Sequence, residues 1–341
     1  MSLENAALKE IHKGMSFGYL AKKGYYGSQE AAAQVEAMAE LGVGWVALQV
    51  TIMQDTFAST RLYQDFTFTP SDWEVERIIG LLHQKGISVM LKPMVECQDS
   101  SWRGRICFPC GDQQILGRQA SYWQAWFQSF TEALLHYGKM AQRTGCELYC
   151  LGCEMSGTLG MSELWRETIR QVKSVYSGPL TYDANGVREL DCDWYEDLAL
   201  LCFSFYPPLT DKADATASQM AALLQPIIQQ LRTKALQLKK PLLFGECGCR
   251  SVQGGAAVPS AYQNVGPYDG QVQANFLEAV LQSFWDEPWW YGLYWWKWDE
   301  QQARSQYEYD PAGDGGFTVA GKPAAETMRR WYAKPGGREL R

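Results

Sequence analysis

Short apolar runs alternate with longer amphipathic stretches along the whole chain, the rhythm of repeated strand–helix units and a parallel sheet. The apolar runs lie at 13–18 (KGMSFG), 44–50 (GWVALQV), 87–94 (ISVMLKPM), 147–153 (ELYCLGC), 179–183 (PLTYD), 199–205 (ALLCFSF), 241–246 (PLLFGE) and 291–297 (YGLYWWK). Helical spacing of apolar positions predicts helices over 29–41, 71–84, 120–144, 161–176, 217–239, 273–286 and 323–334. The fifth crossover has room only for a turn of helix near 188–197. Ser28 and Thr69-Pro70-Ser71 stand where helices start, and Gly86 and Gly145 where a C-cap glycine ends one. No repeat, low-complexity tract or linker interrupts the rhythm, so residues 1–341 are expected to form a single domain.

Eight such units close most simply into a (β/α)8 barrel, an α/β fold whose working residues gather at the C-terminal strand ends and in the loops that follow. Enlarged loops are expected after strands 3, 7 and 8, at 95–119, 247–271 and 298–321. A doubly wound open sheet competes, but neither GxGxxG nor GxxxxGK[ST] occurs to support its nucleotide-binding use.

Composition narrows the partners. The net charge of −7 is spread without a basic block, which argues against nucleic acid and anionic membrane. No apolar run approaches the roughly 18 residues of a membrane span, and the opening MSLENAALKEIHKG lacks the features of an export signal, so a cytoplasmic location is expected. Ten cysteines are too few for a disulfide scaffold in a chain this long, and most are expected to be reduced and buried. Fourteen Trp and 18 Tyr suit a neutral polyhydroxylated ligand whose C–H faces stack on rings, although burial also absorbs aromatics. Nothing in the sequence speaks to oligomeric state.

Three histidines, His12, His83 and His136, all fall away from the strand ends, which weakens triad, Cys-His and His-metal mechanisms. The string Gly14-Met15-Ser16-Phe17-Gly18 has the nucleophile-elbow pattern, but Ser16 lies inside the first strand instead of on a strand-to-helix turn. Cys97, Cys107, Cys110, Cys247 and Cys249 lack the spacing of a four-ligand zinc site, leaving incidental thiols or an occasional loop disulfide. DPAGDGG at 310–316 reads as a Gly-rich turn rather than a calcium loop. No metal or cofactor is expected.

Carboxylates remain. Glu154 and Glu246 each stand at the C-terminal end of an apolar strand, where burying a charge is costly unless it is paired or used. Two such groups across a barrel mouth suit glycoside hydrolysis, one kept protonated and one ionised, with either able to take either part. The other strand ends supply Gln49, Lys92, Glu96, Asp183, Asn185, Tyr206, Trp296, Lys297 and Asp299 as candidate substrate contacts. Prolines 207 and 208 stop the sixth strand and fix Tyr206 at the rim, in reach of an ionised carboxylate. Strand alternation sends Trp296 and Trp298 one way and Trp295 the other, making Trp296 the candidate sugar platform.

KGMSFGY, CLGCEMSGT, LTYDAN, FSFYPP, FGECG and LYWWKWD, in this order and spacing, resemble glycoside hydrolase family 113 along essentially the whole chain. The resemblance implies a retaining β-1,4-mannanase on mannan or manno-oligosaccharides, with no cofactor. It implies Glu154 as acid/base, Glu246 as nucleophile, Tyr206 as the ring orienting the nucleophile and Trp296 as the ring beneath the −1 sugar. Many members of the wider clan carry Asn before the acid/base. This chain has Cys153 there, a poor donor, which shifts the sugar 2-hydroxyl contact to a residue such as Asn185 or Lys92. Related readings are an exo-acting β-mannosidase, a β-glucosidase or a transglycosylase on short β-linked oligosaccharides; a different class is a non-catalytic sugar-binding barrel, which predicts binding without turnover.

Overall fold

The computed structural model describes residues 6–298 and 315–337 apart from 109–112, 116–117, 211, 213 and 264–265, with backbone only for 6, 113–115 and 118–120. All eight expected strands form: β1 (His12–Phe17), β2 (Trp45–Gln54), β3 (Ser88–Cys97), β4 (Leu148–Cys153), β5 (Leu180–Ala184), β6 (Leu201–Phe205), β7 (Leu242–Cys247) and β8 (Trp290–Trp298). Each pairs in parallel with the next, and β8 pairs back to β1, so the sheet closes into a barrel. Around it lie α1 (Gln29–Glu40), α2 (Asp72–Gln84), α3 (Tyr122–Thr144), α4 (Ser162–Lys173), α5 (Ala217–Leu238), α6 (Gly270–Phe284) and α7 (Pro323–Tyr332). The fifth crossover holds only two 3-10 turns, Val187–Asp191 and Asp193–Asp197. There Trp194 stacks on Trp165 of α4 with centroids 4.5 Å apart, covering sheet that a helix would otherwise cover.

Pleating sorts the side chains. Inside the barrel, Trp45, Ala47, Met90, Leu148, Cys150, Cys202, Leu243 and Tyr294 form a closed apolar layer. Two residues further along, the same inward positions become Gln49, Lys92, Ser204 and Trp296, because alternate residues of a strand face one side. A polar layer therefore sits on an apolar plug, at the C-terminal end where such barrels work. Below the plug, His12 stacks on Trp45 at 3.9 Å and pairs with Tyr294 Oη at 3.0 Å. Burial pushes its imidazole pKa down to about 3, so it is a neutral structural ring.

Several expectations shift. β2 and β3 stay in register from Trp45–Ser88 to Gln54–Cys97, beyond their apolar runs, because ladder hydrogen bonds need no hydrophobic pattern. Gln49 consequently lies fully buried below the strand end, and not at the rim. The segment 55–71 between β2 and α2 forms another long loop at the mouth. Trp298 does not share the side of Trp296. Met15 pairs with Trp295 and Phe17 with Trp298, so three steps on β8 match two on β1, and this bulge reverses the alternation. Trp298 is buried and donates Nε1–H to Gln34 of α1 (2.6 Å), while Trp295 donates to the carbonyl of Phe317.

Most tryptophans are structural: Trp45, Trp126, Trp165, Trp194, Trp290 and Trp295 are fully buried, and Trp285, Trp289, Trp298 and Trp331 nearly so. Cys97, Cys107, Cys247 and Cys249 are free thiols, as are all cysteines among the described residues; Cys110 lies outside them. Among the described residues no helix is long and apolar enough to cross a membrane.

Candidate active site

The strand ends and the loops after β1, β2, β3, β7 and β8 enclose a cleft of about 1150 Å³ at the barrel mouth, floored by Glu154, Ser204, Tyr206 and Glu246. Beneath the floor, the Lys92 ammonium donates to Asp183 Oδ2 at 2.5 Å and to Glu246 Oε1 at 3.0 Å. Lys92 and Asp183 are fully buried, and the Glu246 side chain is nearly so. Burial alone would discharge the lysine, but the carboxylates of Asp183 and Glu246 beside it raise its pKa well above the usual lysine range. Burial also raises Asp183, against the pull of Lys92. Asp183 occupies the space of a missing side chain: a Cβ on Gly245 would fall 2.4 Å from its Oδ1, which explains glycine before the strand-end glutamate. Cys153, Asp183 and Glu246 bring three potential metal ligands within 4.8 Å of one another, but the Lys92 ammonium already supplies the cation there.

Glu246 accepts at both oxygens, from Lys92 and the Cys153 thiol (3.4 Å) at Oε1 and from the Tyr206 hydroxyl at Oε2 (3.0 Å). Burial and the neighbouring Glu246 push the Tyr206 phenol well up, keeping it a donor. Three donors converge on this one carboxyl and fix it in place beside the Lys92 ammonium.

Glu154 has a different setting. It follows β4 with φ +53°, an uncommon conformation for a residue with a side chain. Two bonds from β5 hold the turn: Glu154 N donates to the Asp183 carbonyl (2.8 Å), and Met155 N to Tyr182 Oη (2.7 Å). Burial raises the Glu154 carboxyl to about 7; Arg103 opposes this, and Glu246 and Asp183 add to it. Near neutral pH the group therefore exchanges a proton readily.

Arg103, in the 3-10 turn Arg103–Arg105 after β3, was not legible as a site residue. Its Nε donates to the Cys153 carbonyl (2.9 Å), Nη1 to Glu96 Oε1 (2.6 Å) and Nη2 to Glu154 Oε2 (3.2 Å). The turn is pressed onto the Ser156–Thr158 turn after β4, where a Cβ on Gly157 would lie 2.1 Å from the Ile106 carbonyl oxygen. Gly157→Ala is accordingly expected to displace the Arg103 turn, lowering kcat about tenfold and stability by about 1–3 kcal/mol, measured by initial rates and urea unfolding.

Of the expected contacts, Glu96, Asn185, Tyr206, Trp296 and Lys297 line the cleft with both glutamates. Lys92 and Asp183 lie beneath it, and Asp299 is outside the described residues. Trp296 is half-buried, its ring edge-to-face with Tyr19 at 5.2 Å, and Lys297 Nζ lies 5.5 Å from the Tyr19 ring centre. Tyr19, Phe68, Trp102, Arg250 and Tyr262 also line the cleft. These were missed because they sit in irregular loops, where no period marks a facing side.

Two carboxyl groups in unequal surroundings, converging on one open cleft, are the equipment for cleaving an acetal, and the barrel that carries them here is a glycoside hydrolase. The family model described as Glycoside Hydrolase Family 113 matches residues 15–322, and the chain belongs to that family. Among solved structures, the GH113 β-mannanase AaManA from Alicyclobacillus acidocaldarius, in complex with ManMIm, is 32% identical over 98% of this chain and 99% of its own, with a TM-score of 0.84. Another GH113 β-1,4-mannanase is 28% identical over 95% of this chain and 99% of its own, with a TM-score of 0.83. A family 5 mannosidase from Rhizomucor miehei, 11% identical over 95% of this chain and 92% of its own with a TM-score of 0.60, shares the fold. No curated protein sequence matches the chain.

Proposed function

We propose that this chain is a retaining endo-β-1,4-mannanase, with residues 1–341 as one catalytic domain, Glu246 as nucleophile and Glu154 as acid/base. The observation that carries the reading is the unequal setting of the two glutamates: Glu246 held by three donors above Lys92, Glu154 in contact with Arg103 and raised by burial to about 7. In the first step Glu246 attacks C1 while Glu154 gives its proton to the departing glycosidic oxygen, forming a covalent glycosyl-enzyme. In the second, Glu154 takes a proton from water as the water attacks C1, and Glu246 departs as carboxylate. Trp296 offers a face to the sugar at the cleavage point, and Lys297 and Asn185 offer donors to its hydroxyls.

The β-mannanases named among its relatives support a mannose-based substrate. Endo action is supported by a cleft spacious enough for several sugar rings, with Trp102 (44% exposed) and Tyr262 (70% exposed) on its rim. Trp102→Ala is expected to lower kcat/KM on mannohexaose by roughly tenfold and on mannotriose much less, because stacking is lost only where a ring reaches the rim. The test of the function is hydrolysis of mannohexaose followed by NMR and chromatography. A β-anomer formed first, with internal cleavage products, is the expected result. A first-formed α-anomer would overturn retention, release of mannose alone would overturn endo action, and faster turnover of cello-oligosaccharides would overturn the substrate.

A further inference from the structure

Double displacement needs two carboxyl groups and assigns nothing to Arg103, yet the described residues bring no other cation into contact with Glu154. Arg103 is buried at 7% exposure, and its donors are divided among the carbonyl and sulfur of Cys153 and two acids. The shorter contact, 2.6 Å, goes to Glu96; the longer, 3.2 Å, to Glu154. Charged and titratable groups face Glu154 from several elements: Arg103 from the turn after β3, Asp183 from β5, the Tyr206 phenol from β6 and Glu246 from β7, while Glu96 of β3 reaches it through Arg103. Lys92 is engaged with Asp183 and Glu246, so Arg103 is the cation that acts on Glu154 directly. The Nε bond to the Cys153 carbonyl ties the guanidinium to the peptide leading into Glu154, so the same group fixes where the acid points.

We propose that Arg103 is the positioning residue of the acid/base, holding Glu154 toward the scissile oxygen with a charge that it shares with Glu96. The proposal rests on the reading of Glu154 as acid/base. Sharing gives it a signature that a merely structural arginine lacks. Without Arg103, the ionised form of Glu154 loses its counter-charge and the carboxyl binds its proton more tightly. Without the charge of Glu96, Arg103 serves Glu154 alone and the carboxyl releases its proton more easily.

The experiment is the pH dependence of kcat/KM on mannotetraose for wild type, Arg103→Ala, Arg103→Lys and Glu96→Gln, repeated at one pH with 2,4-dinitrophenyl β-mannoside, whose leaving group needs no acid. The alkaline limb, where the acid loses its proton, is expected to move up by about one pH unit in Arg103→Ala and to move down in Glu96→Gln. Arg103→Ala should lose roughly tenfold to a hundredfold on mannotetraose, clearly more than on the activated substrate, and Arg103→Lys should recover part of the loss. Limbs that stay put or move in the same direction, or equal losses on both substrates, would overturn the proposal. Should Arg103→Ala fail to fold, the direction of the Glu96→Gln limb decides. Glu154→Ala separates the two readings: if it cleaves the activated substrate and yields β-mannosyl azide with azide, Glu154 is the acid/base whatever Arg103 does. If it does neither, it is the reading of Glu154 that fails.

Discussion

Replacing Glu246 by alanine is expected to lower kcat on manno-oligosaccharides on the order of 10⁵-fold, with little change in fold, and azide is expected to restore turnover of an aryl β-mannoside as the α-mannosyl azide. The size follows from the proposed role. Loss of an acid costs about 10²–10⁴-fold, whereas loss of the attacking atom removes the covalent path altogether. The product follows from the geometry. Glu246 is held from below by Lys92 and from the side by Tyr206, so its removal opens a small space where the proposed nucleophile would meet the sugar, and azide entering there is expected to invert C1. Unaltered turnover in the variant, or a β-azide as its rescued product, would sink the nucleophile assignment. The same substitution removes a buried charge whose partner Lys92 keeps Asp183 at 2.5 Å, so stability should fall only modestly, as read by thermal unfolding.

Lys92→Met is expected to be the most destabilising single change at the site, costing about 3–5 kcal/mol, because it leaves two buried carboxylates without their cation. Its activity should fall by roughly a hundredfold or more as Glu246 loses its one charged donor. The pH dependence has a definite sign. Burial already raises Asp183 above the ordinary carboxylate range, and removing Lys92 raises it further. The folded variant then binds a proton that the unfolded chain has released, so its stability is greatest on the acid side and is lost as pH rises through the folded-state pKa. Urea unfolding at pH 5 and pH 8 checks this: the deficit relative to wild type should be smaller at pH 5. Adding Asp183→Asn should recover part of the deficit at pH 8, since the pair is coupled through one contact. A deficit independent of pH would mean that packing, and not charge, is what Lys92 supplies.

How much of this was legible depended on the kind of signal. The strands announced themselves because a barrel strand is buried on both faces and reads as an unbroken apolar run. Glu154 and Glu246 stood out against such runs, and so did Lys92. Gln49 and Trp298 were misplaced for a common reason: strand length and bulges are set by ladder pairing with neighbours, which the local pattern does not record. Arg103 left no trace, since its segment CQDSSWRGRICF has neither a helical nor a strand period.

The sequence by itself determined the eight-fold alternation, the direction of the mouth and the pair of carboxyl groups at two strand ends, because these follow from local periodicity and the cost of placing a charge beside an apolar run. Tertiary structure alone decided how those carboxyls differ. Arg103 meets Glu154 across 51 residues of chain and Lys92 meets Glu246 across 154. Protonation is governed by burial and by charges a few ångströms away, and both are fixed only when the barrel closes.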